Sequence, residues 1–323
     1  MAIDGSKFRA AASPNRVLDA RRIAEEAAKF DAQIAHYLAN LNEVDANETG
    51  EDANTTAVAL AVLKERRAEL DRLSGYLGQD ARTLVVDGEL DARPMGFAWG
   101  GKPPSYNVQI AVDADTGIVI HHEVTDEVND IRMLYPMAKA AKELLGEEGL
   151  TVVADAGYSN GTAAADCEAE GITPCVPVKR SVNNRGDGDL FDRSYFTYNA
   201  DHDNYTCPSG RILHRKGARN RASFFYVSRD CSSCNLKSSC TQAEYRWVSR
   251  RRHEDAFERM TARVAESPEL MRQRRRAAEH PFGTMKRMMS GRFLTRGIKG
   301  TSIEMALSVL AYNMIRSINL WAN

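Results

Sequence analysis

The chain has 323 residues, 43% hydrophobic and 27% charged, enough to bury one large core or two modest ones. It has no run of about 18 apolar residues, and the opening MAIDGSKFRA lacks the charged-then-apolar pattern of a secretory leader. These features argue against a membrane partner and predict a soluble cytoplasmic protein. The formal net charge is −1, but residues 41–55 are acidic whereas 246–300 is dense in arginine, including Arg250-Arg251-Arg252 and Arg274-Arg275-Arg276. That asymmetry points the C-terminal third toward a phosphate-rich partner.

Residues 2–12 read as a short strand carrying Asp4. Over 17–43, Leu18, Ile23, Ala27, Phe30, Ile34, Leu38 and Leu41 recur at helical spacing. A polar loop at 44–55 leads to a second helix through Leu63, Leu70, Leu73 and Leu77, which predicts an antiparallel αα-hairpin. Leu84-Val85-Val86 reads as a short strand, and YNVQIAVDADTGIVIHHEVT (106–125) as a β-hairpin turning at Asp-Ala-Asp-Thr-Gly. A helix beginning at Asp130, with Leu134, Met137, Ala141 and Leu145 inward, precedes strands at 151–155 and near 172–178. The order predicts an α/β domain with a mixed sheet.

From about 181 the chain becomes rich in turns, aromatics and cysteine, with few aliphatic residues to build a core. Long helices are expected again after Trp247, with Pro281 bending or ending one of them. The last helix is expected to start at Thr301-Ser302-Ile303-Glu304, a capping-box pattern. Its stripe of Ile303, Ala306, Leu307, Leu310, Met314, Ile315 and Ile318 is expected to face the core.

Three features carry chemistry. In TVVADAGYSN (151–160) an apolar strand ends on Asp155 and then Gly157, the way α/β sheets present a functional acid at their carboxyl edge; a helix-capping Asp gives the same pattern. Cys231 and Cys234, two residues apart, can reach one tetrahedral metal, and Cys207 and Cys240 can complete a structural Zn²⁺ shell. The alternative is a set of unrelated thiols packed as small hydrophobes, the role expected of Cys167 and Cys175. In RQRRRAAEHPFGTMK (272–286) Glu279 is the only acid, a salt-bridge partner by default. A carboxylate among phosphate-binding cations also suits metal-assisted phosphodiester chemistry, with two ions about 3.5–4 Å apart.

Five blocks in order carry a resemblance: IDGSKFRAAAS, YNVQIAVD with EVTDEVND, VVADAGYSN, EHPFGTMKRMM and TSIEMALSVLAYNMIRSIN. Together they resemble the DDE superfamily of bacterial insertion-sequence transposases, in the branch with a cysteine-rich segment between the second and third acids. The resemblance implies a ribonuclease H-like mixed sheet flanked by helices. It divides the chain into a first strand (1–16), a helical hairpin insertion (17–80), an α/β catalytic core (81–180), a Cys-rich zinc-binding insertion (181–245) and C-terminal helices (246–323). The implied catalytic and Mg²⁺ (or Mn²⁺) ligands are Asp4, Asp155 and Glu279. Asp91 stands in reserve, and Asp87, Asp113 and Asp130 compete for the first position. Arg275 and Lys286 match the family's basic residues flanking the third acid, where they would hold DNA phosphates with Arg276 and Arg287. Arg272 stands where a tyrosine is often found.

The implied partners are double-stranded DNA, both transposon ends and target, and further copies of the chain assembled on it. The implied activity is cleavage of transposon ends and strand transfer. Family members carry a helical DNA-binding region before the first acid, so a chain beginning three residues before Asp4 is expected to lack specific end recognition. The competing expectations are a catalytically silent, zinc-stabilised DNA-binding remnant, and a nuclease of the same fold that cuts without joining.

Overall fold

The computed structural model describes residues 1–44, 50–79, 82–177, 190–220 and 223–322; of these, the side chains of 40–44, 50–54, 218–220 and 278–279 are excluded. In chain order the elements are β1 (Ala2–Arg9), β2 (Val17–Leu18), α1 (Ala20–Val44), α2 (Gly50–Tyr76), β3 (Val85–Val86), β4 (Arg93–Pro94), β5 (Pro104–Val112) and β6 (Val119–Thr125). Next come α3 (Leu134–Leu145), β7 (Leu150–Val153), α4 (Gly161–Ala169), β8 (Ile172–Cys175), β9 (Thr197–Asn199), β10 (Asn204–Thr206), β11 (Ile212–Asn220) and β12 (Ser223–Val227). The chain closes with α5 (Lys237–Cys240), β13 (Trp247–Arg251), α6 (Glu254–Glu266), α7 (Pro268–Met288) and α8 (Gly297–Trp321). This is a mixed α/β fold whose larger sheet runs β4-β5-β1-β7-β8, with β6 also paired to β5. Two compact units divide the chain: 1–4, 111–115 and 130–278 form one, and 5–110, 116–129 and 279–323 the other.

In the first unit the start of β1 pairs in parallel with β7, and β7 with β8. Apolar side chains from α3, α4 and α6 cover them, among them Leu134, Met137, Ala164, Cys167, Phe257 and Met260. Cys167 and Cys175 are buried, and burial pushes the Cys167 thiol up to about 12, so both are inert packing groups. Asp130 opens a 3₁₀ turn rather than α3, whose inward face holds Leu134, Met137, Ala138 and Ala141 and leaves Leu145 exposed. Asn160 caps α4 through its side-chain oxygen. A side chain at Gly161 would lie 2.6 Å from the Phe257 ring, so this glycine permits close packing of α4 on α6.

The cysteine-bearing segment folds as a five-stranded antiparallel sheet, β13-β12-β11-β10-β9. The chain after Trp247 therefore continues as a strand and turns helical only at Glu254. The segment, poor in aliphatic residues, nevertheless has a core of its own. Aromatic rings replace the missing aliphatic side chains: Phe196, Tyr205 and Tyr226 are buried with Leu213 and Val248, and the ring centroids of Tyr205 and Tyr226 are 5.0 Å apart. Asp203 accepts hydrogen bonds from the hydroxyls of Tyr198 and Tyr226, which satisfies the polar ends of these rings.

In the second unit β4 is antiparallel to β5. The αα-hairpin begins where Asp19 accepts from the Arg22 amide; Leu18 lies just before it in β2, paired with Val85. Leu18, Ile23, Leu70, Leu73 and Val85 form one apolar cluster. Leu41 of the predicted stripe lies outside the described side chains.

The last helix departs from expectation twice. It begins at Gly297, and Glu304 reaches back to accept from the amides of Leu294 and Thr295 instead of capping a helix started at Thr301. The predicted inward stripe faces outward: Ile303, Leu307, Leu310, Met314, Ile315 and Ile318 are all exposed. The inward stripe is Thr301, Met305, Ser308, Val309 and Tyr312. The cause is polar. Asn313 both donates to and accepts from the backbone of Val119, Tyr312 donates to the carbonyl of Gly117, and Arg316 to that of Thr116, which fixes this side of α8 on residues 116–119.

Candidate active site

Strand register brings two of the expected acids together. Ala2 is the parallel partner of Val153, so two residues further on both chains carry an aspartate at the same level and on the same face, Asp4 and Asp155. β1 runs eight residues from Ala2 to Arg9, ending three residues before the strand expected over 2–12. Asp155 follows the end of β7 with extended backbone, and its two oxygens have separate roles. Oδ1 accepts from the Gly157 amide at 2.6 Å, a cap on the next 3₁₀ turn; Oδ2 faces a cation. The capping role and the exposed acid are therefore both present in one carboxylate. Gly157 is required there, since a side chain would lie 2.8 Å from Asp155 Oδ1.

The cation is Arg274, the first residue of the Arg274-Arg275-Arg276 run and not among the expected site residues. Its Nη2 donates to Asp4 Oδ1 at 2.5 Å and lies 3.4 Å from Asp155 Oδ2, so oxygens of both acids converge on a single nitrogen. Asp4 and Arg274 are largely buried, with side chains 15% and 13% exposed, while Asp155 is open at 46%. One signal pointed to Arg274. Leu270, Arg274, Ala277 and Pro281 share the less exposed stripe of α7, and an arginine on such a stripe needs a buried partner.

Two further groups join this cluster. The position a Gly157 side chain would take is also 3.6 Å from Asp130 Oδ2, so Asp130 and Asp155 flank the same glycine. Tyr158 is fully buried behind them. Burial first, and then the charges of Asp130, Asp4 and Asp155, push its phenol well above the usual tyrosine range and keep it neutral.

Glu279 belongs to α7, but its side chain lies outside the described residues. The helix does not end at Pro281, which sits inside it and lacks the backbone donor of other residues. Arg272, Arg275 and Arg276 are exposed on the same helix in the first unit. Lys286 and Arg287 belong to the second unit, where the Lys286 ammonium lies 5.4 Å from the Phe8 ring centroid and Arg287 is exposed. The competing acids Asp87 and Asp91 have structural partners there: Asp87 accepts both guanidinium nitrogens of Arg66, and Asp91 accepts the Ile298 amide at the start of α8.

Cys207, Cys231, Cys234 and Cys240 line one cavity in the aromatic-cored module. Soft sulfur donors suit zinc, but the four side chains do not form a closed shell. No group of three or more His, Cys, Asp or Glu among the described residues is placed to hold a metal. Cys207 and Cys234 instead face the Ser209 hydroxyl at 3.2 and 3.6 Å, and Cys231 the Ser228 carbonyl at 3.5 Å. The Ser209 hydrogen bond lowers the Cys234 thiol below its ordinary value, and burial raises that of Cys240.

No helix among the described residues is long and apolar enough to cross a membrane. No curated protein and no solved structure matches the chain. Residues 79–314 match the family described as Transposase DDE domain; the span contains Asp155 and Glu279 and begins after Asp4. With well over half of its length inside that match, the chain belongs to the transposase DDE domain family.

Proposed function

We propose that the chain is the catalytic part of a DNA transposase, with a ribonuclease H-like core, which cleaves transposon ends and transfers the strand to target DNA. The observation that carries this is the convergence of Asp4 Oδ1 and Asp155 Oδ2 on one cation. Hard oxygens that already share a positive charge fit a divalent ion, Mg²⁺ or Mn²⁺, and Glu279 is our third ligand. A pair of such ions supplies charge neutralisation at the scissile phosphate and activation of the attacking oxygen. Asp4 and Asp155 are the residues that would hold the first ion, and the Gly157 amide fixes the Asp155 carboxylate for it. Arg272, Arg275, Arg276, Lys286 and Arg287 would hold backbone phosphates, an interaction that weakens steeply with salt. A cytoplasmic setting that keeps the thiols of the cysteine cavity reduced completes the proposal.

The exposed face of α8 supports assembly of several copies. Ile303, Leu307, Leu310, Met314, Ile318 and Trp321 are each 57% exposed or more, and no charged side chain is exposed between Ile303 and Trp321. They recur every three or four residues, a seam that a second α8 complements, and side chains of this size supply on the order of the 800 Å² per partner that stable interfaces bury.

The test is incubation of the chain with paired element ends, target DNA and Mg²⁺ or Mn²⁺. Cleaved ends joined to target are expected. Hydrolysis without joining marks a nuclease, and salt-sensitive binding without cutting marks a silent DNA-binding remnant.

A further inference from the structure

We propose that Arg274 is an internal plug for the acid pair, which a divalent ion must displace before it can bind. The inference rests on the reading that Asp4 and Asp155 hold that ion. The guanidinium sits where their oxygens converge, 2.5 Å from Asp4 Oδ1 and 3.4 Å from Asp155 Oδ2. A divalent ion draws on the same oxygens at roughly 2.0–2.1 Å for Mg²⁺, so ion and guanidinium exclude each other.

The moving part is the arginine. Asp4 is fixed by strand register, and Asp155 by the Gly157 amide at 2.6 Å, so the acids are already placed for a ligand. Arg274 hangs on a flexible stem from α7, and its Nε is buried with no hydrogen-bond partner among the described residues. Its seat is therefore incomplete, unlike that of Arg66, whose terminal nitrogens are both taken by Asp87. The path out is on the side of Asp155, 46% exposed against 15% for Asp4. Once displaced, a planar fork of N–H donors matches the oxygens of a phosphate. Arg274 thereby couples ion binding to DNA binding. It neutralises the acids until the ion arrives, and is released toward the DNA backbone when it does.

The test is Mn²⁺ titration, followed by electron paramagnetic resonance, of the full chain, R274Q and D155N. R274Q is expected to bind Mn²⁺ at least tenfold more tightly than wild type, and D155N to lose the site. Equal or weaker binding by R274Q, with binding still lost in D155N, overturns the plug and leaves the metal-ligand reading standing. Binding that D155N does not reduce overturns that reading itself. A measurement on the unaltered chain covers the case in which R274Q fails to fold. Nuclear magnetic resonance of the arginine side-chain nitrogens is expected to show one guanidinium, assigned through R274K, released from restricted rotation as Mg²⁺ is added. A signal that stays restricted through saturation overturns the plug.

Discussion

The acid pair and the cysteine cavity lie in the same compact unit, and each gathers residues that the sequence marks as metal ligands. They are built in opposite ways. The acids are set by backbone: one parallel register places Asp4 beside Asp155, and a buried arginine holds their charge. The cysteines are set by loops and short helical turns around an aromatic core. Hydroxyl and carbonyl groups face three of them, Cys207, Cys231 and Cys234. Two carboxylates at adjacent strand positions repel unless a cation joins them, so that site is ion-seeking by construction. The thiols pack as small groups in a module that already has its own core.

That contrast can be broken at either end. The largest effect belongs to the acids: D155N is expected to reduce DNA cleavage by about 10³-fold or more, because transition-state charge loses its metal anchor. An unchanged rate would move the chemistry elsewhere. G157A tests the backbone side of the same site. Its methyl group would lie 2.8 Å from Asp155 Oδ1 and push the carboxylate off register, so cleavage should fall by about tenfold through misplacement. The melting temperature should barely move, and a large stability loss with normal specific activity would contradict this.

The smallest effect separates individual thiols. Cys234 is lowered by the Ser209 hydrogen bond and Cys240 is raised by burial, so the thiolate of Cys234 forms at lower pH. In a pH series of alkylation read by mass spectrometry, Cys234 labelling is expected to rise before that of Cys240. S209A should move the Cys234 curve toward higher pH. Coincident curves would show that these partners do not control the thiols.

How far the molecule was legible follows the kind of constraint at each place. The mixed α/β fold and the αα-hairpin follow from apolar periodicity, which tertiary structure seldom overrides over long segments. The pairing of Asp4 with Asp155 was legible only through family resemblance, because strand register is a long-range property. Arg274 was missed although its spacing to Leu270, Ala277 and Pro281 puts it on the inward stripe; within a run of three arginines its neighbours Arg275 and Arg276 drew the attention. The α8 stripe misled for the opposite reason. Apolar spacing finds a sticky face without saying what covers it, and hydrogen bonds from Tyr312, Asn313 and Arg316 to residues 116–119 chose the other side for the core. The five-stranded sheet escaped notice because its core is aromatic and its strands are short.

The central claim is that Asp4 and Asp155 form a cation seat now filled by Arg274. Its most direct test is a crystal structure of the chain grown with Mn²⁺, with anomalous scattering used to locate the ion. The account predicts an anomalous peak bound by Asp4 Oδ1 and Asp155 Oδ2, with the Arg274 guanidinium withdrawn from both. A peak elsewhere, with Arg274 still bridging the two aspartates, would contradict it.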